Sequence, residues 1–267
     1  MTAGPTSRSH PLPEERRVGV VVPAGNPVVE PELHALVGPR LFPYFARFPP
    51  HAAADLAERL ARYRDDTPET LAALAGVPVA ATYVACTGSS YSVGPEGDRE
   101  WMRTASIVTQ SPVATAAGAV TDVFRLTGVD RVRIVSPYPE WLTRRCVEFW
   151  TGAGYAVAGV HQLRAGGDGG QSSHPIYTIA ASEVAAELER AVDAASSAAG
   201  RAGAVLVAGT GVATLDALDQ LVDKTSVLLV SSNLAGARWL LVTTALGAHV
   251  AETAHGALAR LLVEAGR

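Results

Sequence analysis

The stretch Val77-Pro-Val-Ala-Ala-Thr-Tyr-Val-Ala85 is an apolar run, and it leads into the hydroxyl- and glycine-rich segment Cys86-Thr87-Gly88-Ser89-Ser90. A short apolar run bounded by glycine and serine is typical of a buried strand followed by a turn. A thiol at the carboxyl end of such a strand faces the crevice where open α/β sheets bind ligands. The stretch therefore predicts a parallel-sheet strand with a reactive Cys86 at its end. The alternative is a buried structural cysteine, since free cysteine is among the most buried residue types.

If Cys86 is reactive, its surroundings should favour the thiolate. Backbone amides or a helix N-terminus beside the thiol would lower its pKa, and loop hydroxyls with backbone N–H groups would hold an anion such as a carboxylate. We therefore expect iodoacetamide to alkylate Cys86 well below the pH that a free thiol requires, which is near 8.5.

Around this stretch the chain alternates between short β-branched runs and longer segments rich in Ala, Leu and Arg. The predicted strands cover residues 18–22, 77–84, 106–109, 131–136, 155–160, 204–208 and 226–230. The predicted helices cover residues 52–63, 114–126, 140–150, 182–199, 215–222 and 234–246. Strands separated by helices predict an α/β fold in which right-handed crossovers build parallel sheets flanked by helices.

Two pairs of segments are similar across the halves of the chain. Arg17-Val-Gly-Val-Val-Val-Pro23 matches Arg131-Val-Arg-Ile-Val-Ser-Pro137, and Tyr83-Val-Ala-Cys-Thr-Gly-Ser89 matches Leu206-Val-Ala-Gly-Thr-Gly-Val212. We therefore predict two similar lobes, related by a pseudo-twofold axis, with the site in the cleft between them. Residues 1–16 are predicted to form a disordered leader, residues 17–110 with 232–267 lobe one, and residues 111–231 lobe two.

Composition narrows the classes of function. The 267 residues carry a net charge of −4 and only two cysteines, so the sequence predicts neither a nucleic-acid partner nor a disulfide framework. No apolar run reaches the length of a membrane span, so no membrane association is expected. The histidines are scattered and no phosphate-binding loop motif occurs, so neither a metal nor a cofactor is predicted. We expect a cytoplasmic protein that binds a small carboxylate, with homo-oligomer formation left open.

In their sequence and their order along the chain, five motifs resemble those of the aspartate/glutamate racemase superfamily, and within it most closely those of the maleate cis-trans isomerases and the arylmalonate decarboxylases. Five segments carry this resemblance from residue 18 onward. They are Pro23-Ala-Gly-Asn26-Pro-Val-Val-Glu30-Pro-Glu32, Ala85-Cys-Thr-Gly-Ser89, Ser136-Pro-Tyr138, Ala208-Gly-Thr-Gly-Val-Ala-Thr-Leu-Asp216 and Ser231-Ser-Asn233. None of them is specific alone, but all five occur in the expected order.

The resemblance implies a role for each matching residue. Cys86 and Tyr138 are implied as catalytic, with Cys86 in the place of the first catalytic cysteine, the nucleophile of maleate isomerases. The remaining implied residues bind the substrate carboxylate or stabilise an enediolate. They are Asn26, Thr87, Gly88, Ser89, Gly209, Thr210, Gly211 and Asn233.

The sequence departs from the resemblance at Gly209, which stands where the second catalytic cysteine would be. Cys146 cannot replace that cysteine, because it lies within a helical pattern. Racemisation needs an acid/base group on each face of the substrate, so one thiol argues against it. Cis-trans isomerisation of a maleate-like dicarboxylate, by thiolate addition and an enediolate intermediate, requires only one thiol and is the leading hypothesis.

Two alternatives to isomerisation remain open. Decarboxylation of a substituted malonate, with Cys86 as proton donor to the same kind of enediolate, also needs one thiol. A carboxylate-binding protein that lost turnover together with the second cysteine is the third hypothesis. The segment Arg164 to Tyr177 falls where the resemblance places a loop that closes over substrate, although a plain surface loop fits it nearly as well.

Overall fold

The described part of the chain contains eight parallel strands, which form two four-stranded sheets with the same strand order. The computed structural model describes residues 13–164, 175–197, 202–246, 254 and 256–265. The strands are β1 (Arg17–Val22), β2 (Phe42–Arg47), β3 (Ala81–Val84), β4 (Val113–Thr115), β5 (Arg131–Ser136), β6 (Ala156–Gln162), β7 (Ala204–Val207) and β8 (Leu228–Ser231). The sheet orders are β2-β1-β3-β4 and β6-β5-β7-β8. The second half of the chain thus repeats the first, which confirms the predicted two-lobed α/β fold.

Helices cover both sheets. They are α1 (Val29–Val37), α2 (Leu56–Asp65), α3 (Thr67–Ala72), α4 (Thr87–Thr109), α5 (Ala116–Thr127), α6 (Glu140–Gly152), α7 (Ala181–Ser196), α8 (Leu215–Leu221), α9 (Ser232–Thr243) and α10 (Gly256–Glu264). Strands β3, β7 and β8 are buried along their whole length, as expected of parallel strands with both faces covered. No described helix is long and apolar enough to cross a membrane.

Several predicted elements differ from the structure. Residues 106–109, predicted as a strand, are the last turn of α4; Ile107 and Val108 are 64% and 57% exposed, so this β-branched run covers no core. Strand β3 is shorter than predicted and begins only at Ala81. Strands β2 and β4 and helices α1, α3, α4 and α10 have no counterpart among the predicted ranges. Helix α4 is interrupted at Gly94, which has a non-helical φ of 73° and directly precedes Pro95.

The predicted lobe boundaries also need correction. Strand β4 pairs in parallel with β3, so the first sheet continues past the boundary predicted at residue 110. Helix α9 packs mainly against α1, α5 and β3 of the first half and also contacts β8, whereas α10 contacts α8 and β8 of the second half as well as α5 and α9. Residues 1–12 of the predicted leader lie outside the described residues, and Glu14–Arg16 form a short 3-10 helix rather than a disordered segment. The remaining division into lobes stays a prediction.

Candidate active site

A cavity of about 520 Å³ opens at the carboxyl ends of the central strands of both sheets. It is lined by Pro23, Ala24, Gly25, Asn26, Pro50, Ala52, Leu56, Arg59, Leu60, Tyr63, Cys86, Thr87, Gly88, Tyr138, Leu142, Ile176, Tyr177 and Thr210. Six of the predicted site residues are among them: Asn26, Cys86, Thr87, Gly88, Tyr138 and Thr210. Both halves of the chain contribute, so the predicted shared cleft is where the structure places these side chains.

Cys86 is the residue immediately before α4 and has an extended backbone with φ −142°. The predicted turn after it is therefore the first turn of a helix. The thiol is 4% exposed, and its Sγ lies 3.3 Å from the hydroxyl of Ser89, which donates a hydrogen bond to the carbonyl of Leu60 at 2.9 Å. Gly88 permits the close approach of Leu60, because a Cβ there would lie 2.9 Å from its Cδ2. Ser89 thus positions the thiol without lining the cavity itself.

The expected lowering of the Cys86 pKa is wrong in direction. Burial raises the pKa of this thiol above its ordinary value. The Ser89 hydroxyl, the backbone amides of Ser89 and Gly88 and the charge of Arg59 all act in the opposite direction but do not reverse the effect of burial. Burial therefore favours the protonated thiol of Cys86, with groups beside it that can stabilise the thiolate once a proton has left.

We expect the rate of iodoacetamide alkylation of Cys86 to have its midpoint above the pH of about 8.5 at which a free thiol ionises, because burial disfavours the thiolate. The reaction can be followed by intact mass across a range from neutral to strongly alkaline pH in a Cys146→Ala background, which leaves one thiol. A midpoint below about pH 8.5, the value of a free thiol, would show that the helix amides and Arg59 dominate over burial.

Tyr138 and Thr87 form a hydrogen-bonded pair of hydroxyls that joins the two halves of the chain. Tyr138 is 5% exposed, and burial raises the pKa of its phenol, so the phenol stays protonated. In a pair of hydroxyls one hydrogen is used between them and the other remains available. The pair can therefore donate one hydrogen bond to a ligand oxygen.

Asn26 and Thr210 form a second connection between the two halves of the site. The amide of Asn26 donates to Oγ1 of Thr210 at 3.2 Å, and Thr210 Oγ1 donates to the carbonyl of Ala85 at 2.8 Å. The Asn26 carbonyl oxygen accepts from the amides of Val28 and Val29, so the side chain is held by the start of α1. One amide hydrogen of Asn26 remains for a ligand.

Asn233 lies behind the cavity rather than on its wall. Its amide donates to the carboxylate of Glu32 at 2.7 Å and to the carbonyl of Thr210 at 3.1 Å. Glu32, which is not among the predicted site residues, is 7% exposed and also accepts from the amide of Leu215 at 3.2 Å. Burial raises the pKa of Glu32, while these hydrogen bonds oppose the rise. Asn233 and Glu32 therefore position the Thr210 loop and do not line the cavity.

The two other predicted glycines differ in their surroundings. Gly209 has a φ of +92°, and a Cβ there would lie 3.0 Å from Cγ of Pro137 and 3.2 Å from the hydroxyl oxygen of Tyr138. At Gly211 a Cβ would lie 2.5 Å from Cε1 of Tyr177. Gly211 thus makes room for Tyr177, whose side chain lines the cavity. Residues 165–174 of the predicted closing loop lie outside the described residues.

We expect Gly209→Cys to lower the free energy of unfolding by about 1–3 kcal/mol and to reduce activity rather than add a racemase, because a cysteine at this φ is strained and displaces Tyr138. Chemical denaturation and solvent-deuterium exchange into a chiral acid measure the two effects. Gly154→Ala is the control for the backbone strain alone, since Gly154 has φ +97° and an added Cβ there would meet no described heavy atom within 4 Å. A Gly209→Cys protein as stable as the parent that racemises substrate would contradict this expectation.

Cys146 lies on α6 and is fully buried, away from the cavity lining. Burial raises the pKa of its thiol to about 12, against the opposing effect of hydrogen bonds with Tyr91 and Trp150. The structure thus places Cys146 in the core, as its helical sequence pattern predicts.

The sequence did not predict the part of the cavity wall that side chains of helices form. Leu56, Leu60 and Leu142 make much of this part apolar, and Arg59 on α2 is the one charged side chain among the described lining residues. In the sequence Arg59 belongs to an ordinary amphipathic helix with two further arginines, so nothing there distinguishes it from a surface residue. Its place in the cavity follows only from the packing of α2 against α4.

The chain is similar in sequence to a protein family and to a curated relative. The family profile of arylmalonate decarboxylase matches residues 18–259. A curated maleate isomerase from Geobacillus stearothermophilus is 25% identical over 152 residues, which are 53% of this chain and 61% of the relative, so the match spans less than two thirds of that protein.

Two solved structures share the fold. One is a cysteine-to-serine mutant of Nocardia farcinica maleate cis-trans isomerase with a covalently bound succinylcysteine intermediate, with TM-score 0.71, 21% identity, and coverage of 86% of this chain and 93% of that one. The other is a liganded arylmalonate decarboxylase in which a glycine is replaced by cysteine and a cysteine by serine. Its TM-score is 0.68, with 20% identity and coverage of 85% of this chain and 92% of that one.

Proposed function

This chain belongs to the arylmalonate decarboxylase family, and we propose that it is a cofactor-independent decarboxylase of a substituted malonate, with Cys86 as the proton donor. The observation that carries the proposal is the burial of the cavity's thiol at 4% exposure, because burial favours the protonated form over the thiolate. A proton donor must carry its proton when the intermediate forms, whereas a nucleophile must have lost it. This reverses the order of the two enzymatic hypotheses drawn from the sequence.

The cavity supports a division of labour between the two carboxylates of a malonate. The retained carboxylate would lie against the Tyr138–Thr87 pair and the free amide hydrogen of Asn26, which donate hydrogen bonds to the enediolate as its charge grows. The leaving carboxylate would lie against the apolar side chains of Leu56 and Leu142. A carboxylate is destabilised in apolar surroundings and neutral CO₂ is not, so this placement favours loss of CO₂.

The proposed steps balance in atoms and charge. The bond between the α-carbon and the leaving carboxylate breaks, CO₂ departs, and the electron pair remains as an enediolate on the retained carboxylate. The Cys86 thiol then donates its proton to the α-carbon and becomes a thiolate beside the amides of Gly88 and Ser89. A solvent proton restores the thiol, so the net reaction converts a malonate dianion and one proton into a monocarboxylate and CO₂.

Isomerisation of a maleate-like substrate is the second candidate. It is favoured by the position of Cys86 and by the mutant maleate isomerase that carries a succinylcysteine although one cysteine is replaced. In that reaction the Cys86 thiolate would add to the double bond, the resulting single bond would rotate, and elimination would release the trans isomer. It requires the thiol to lose its proton first, against the effect of burial.

Incubation with phenylmalonate and with maleate, followed by NMR of the products, tests the proposal. We expect phenylacetate and CO₂ from phenylmalonate, and a single enantiomer from methyl(phenyl)malonate, because one thiol delivers the proton from one face. Fumarate from maleate, without CO₂ loss from phenylmalonate, would instead support the isomerase. Saturable binding of both compounds with no product would support a carboxylate-binding protein and overturn both enzymatic candidates.

A further inference from the structure

Arg59 is a half-buried cation without a partner among the described residues. Its side chain lines the cavity and forms no hydrogen bond or ion pair with any residue that the structure describes. The two other arginines of α2 are both paired, Arg62 with Glu58 and Arg64 with Asp65. Five guanidinium donors in a concave site, with no acceptor among the residues that the structure describes, are a feature that a ligand anion would satisfy.

The surroundings of Arg59 leave it available to such a ligand. None of the described lining residues is acidic, so no carboxylate on that part of the wall neutralises the charge. The neighbouring cation Arg47 is already engaged, because it donates to the carbonyls of Ala24 and Asn26 and to Glu30. The charge of Arg59 also opposes the effect of burial on the pKa values of Cys86 and Tyr177, two residues that line the same cavity.

We propose that Arg59 binds an anionic group at the far end of the substrate's substituent, so that the substrate is a malonate whose aryl or alkyl substituent ends in a carboxylate. The proposal rests on the proposed decarboxylase function. The hydroxyl pair of Tyr138 and Thr87 accounts for the retained carboxylate. If Arg59 bound the leaving carboxylate, it would stabilise that group in the ground state and oppose CO₂ loss. The anionic group that Arg59 binds is therefore a third one, distinct from both carboxylates of the malonate.

The test compares phenylmalonate with 3- and 4-carboxyphenylmalonate. We expect the parent to favour at least one carboxyphenyl substrate by about 10- to 100-fold in kcat/KM, since a charge-assisted arginine–carboxylate contact has an effect of that size. Arg59→Met should remove most of this preference, and Arg59→Lys should restore part of it. Arg62→Met is the matched control: it lies on the same helix, outside the cavity lining, and should leave the ratio unchanged.

Binding of the product analogues separates the two proposals. Calorimetry should show that phenylacetate binds more weakly than its 3- or 4-carboxyphenyl counterpart in the parent but not in Arg59→Met. Decarboxylation of phenylmalonate without any preference for a carboxyphenyl compound would overturn the role of Arg59 alone. If no malonate is decarboxylated but the binding preference appears and depends on Arg59, the role of Arg59 as an anion site is supported and the decarboxylase proposal is overturned.

Discussion

Cys86→Ala is expected to lower the turnover of phenylmalonate by about 10²- to 10⁴-fold, the usual contribution of a positioned general acid. The enediolate that forms on CO₂ loss would then have to take its proton from water, which lies on no fixed face. Methyl(phenyl)malonate should accordingly give nearly racemic product. Initial rates by NMR and chiral chromatography of the product measure the two effects.

Cys146→Ala is the control for that experiment. Cys146 is fully buried in α6 and lies in the core rather than on the cavity wall, so its removal should cost about 1–2 kcal/mol of stability and leave turnover near that of the parent. Turnover in Cys86→Ala as high as in Cys146→Ala and the parent would contradict the assignment of Cys86, because it would mean that neither thiol supplies the proton.

The features of the fold that could be predicted from the sequence are those that apolar runs encode. Strands β1, β5 and β7 are largely buried apolar runs, and each begins within one residue of its predicted start. Strand β2 escaped prediction because it contains Pro43 and is only half-buried, as an edge strand is, and β4 because it has three residues. Residues 106–109 show the converse, since a β-branched run can end an exposed helix when no sheet partner is available.

The sequence predicts the site residues that directly follow a strand. It does not predict those that only the packing of a helix places in the cavity. Cys86 and Thr210 follow β3 and β7 closely, so the repeat alone predicts that both line the shared cleft, as they do. Arg59 lies on a separate helix, α2, and its place in the cavity depends on how that helix packs. The pKa of Cys86 depends on burial of the thiol, and no local sequence pattern reveals that burial. Glu32 did leave a signal: it interrupts the apolar face of α1 between Val29 and Leu33, where an acidic residue needs buried partners.

Asp98 is a second buried carboxyl with a cost to stability. It is 3% exposed on α4 and accepts a hydrogen bond from the Thr115 hydroxyl at 2.9 Å, while Thr115 itself accepts from the amide of Gly118 at the start of α5. Burial raises the pKa of Asp98 from 3.8 to about 6, and the hydroxyls of Ser90 and Thr115 oppose that rise without cancelling it. No sequence pattern indicates this, because Asp98 stands in a charged stretch that is typical of an exposed helix.

The raised pKa fixes the sign of the effect of pH on stability. Between pH 3.8 and about 6 the folded protein keeps the Asp98 proton that the unfolded chain has released, so the free energy of unfolding falls as pH rises through this window. A rise of this size in the pKa corresponds to about 3 kcal/mol, and above the folded-state pKa the full deficit persists.

Asp98→Asn should therefore raise the free energy of unfolding at neutral pH by up to about 3 kcal/mol and change it little near pH 3.8, because the amide is neutral at every pH and can still accept from Thr115. Urea denaturation at several pH values across this window and above it measures the effect. Glu96→Gln is the control, since Glu96 is on the same helix with a side chain 95% exposed. An equal change in stability at every pH would show that Asp98 does not titrate in this window. A gain that grows up to about pH 6 and then stays level would show that the buried carboxylate, rather than the packing of its neighbours, limits the stability of the helix that follows Cys86.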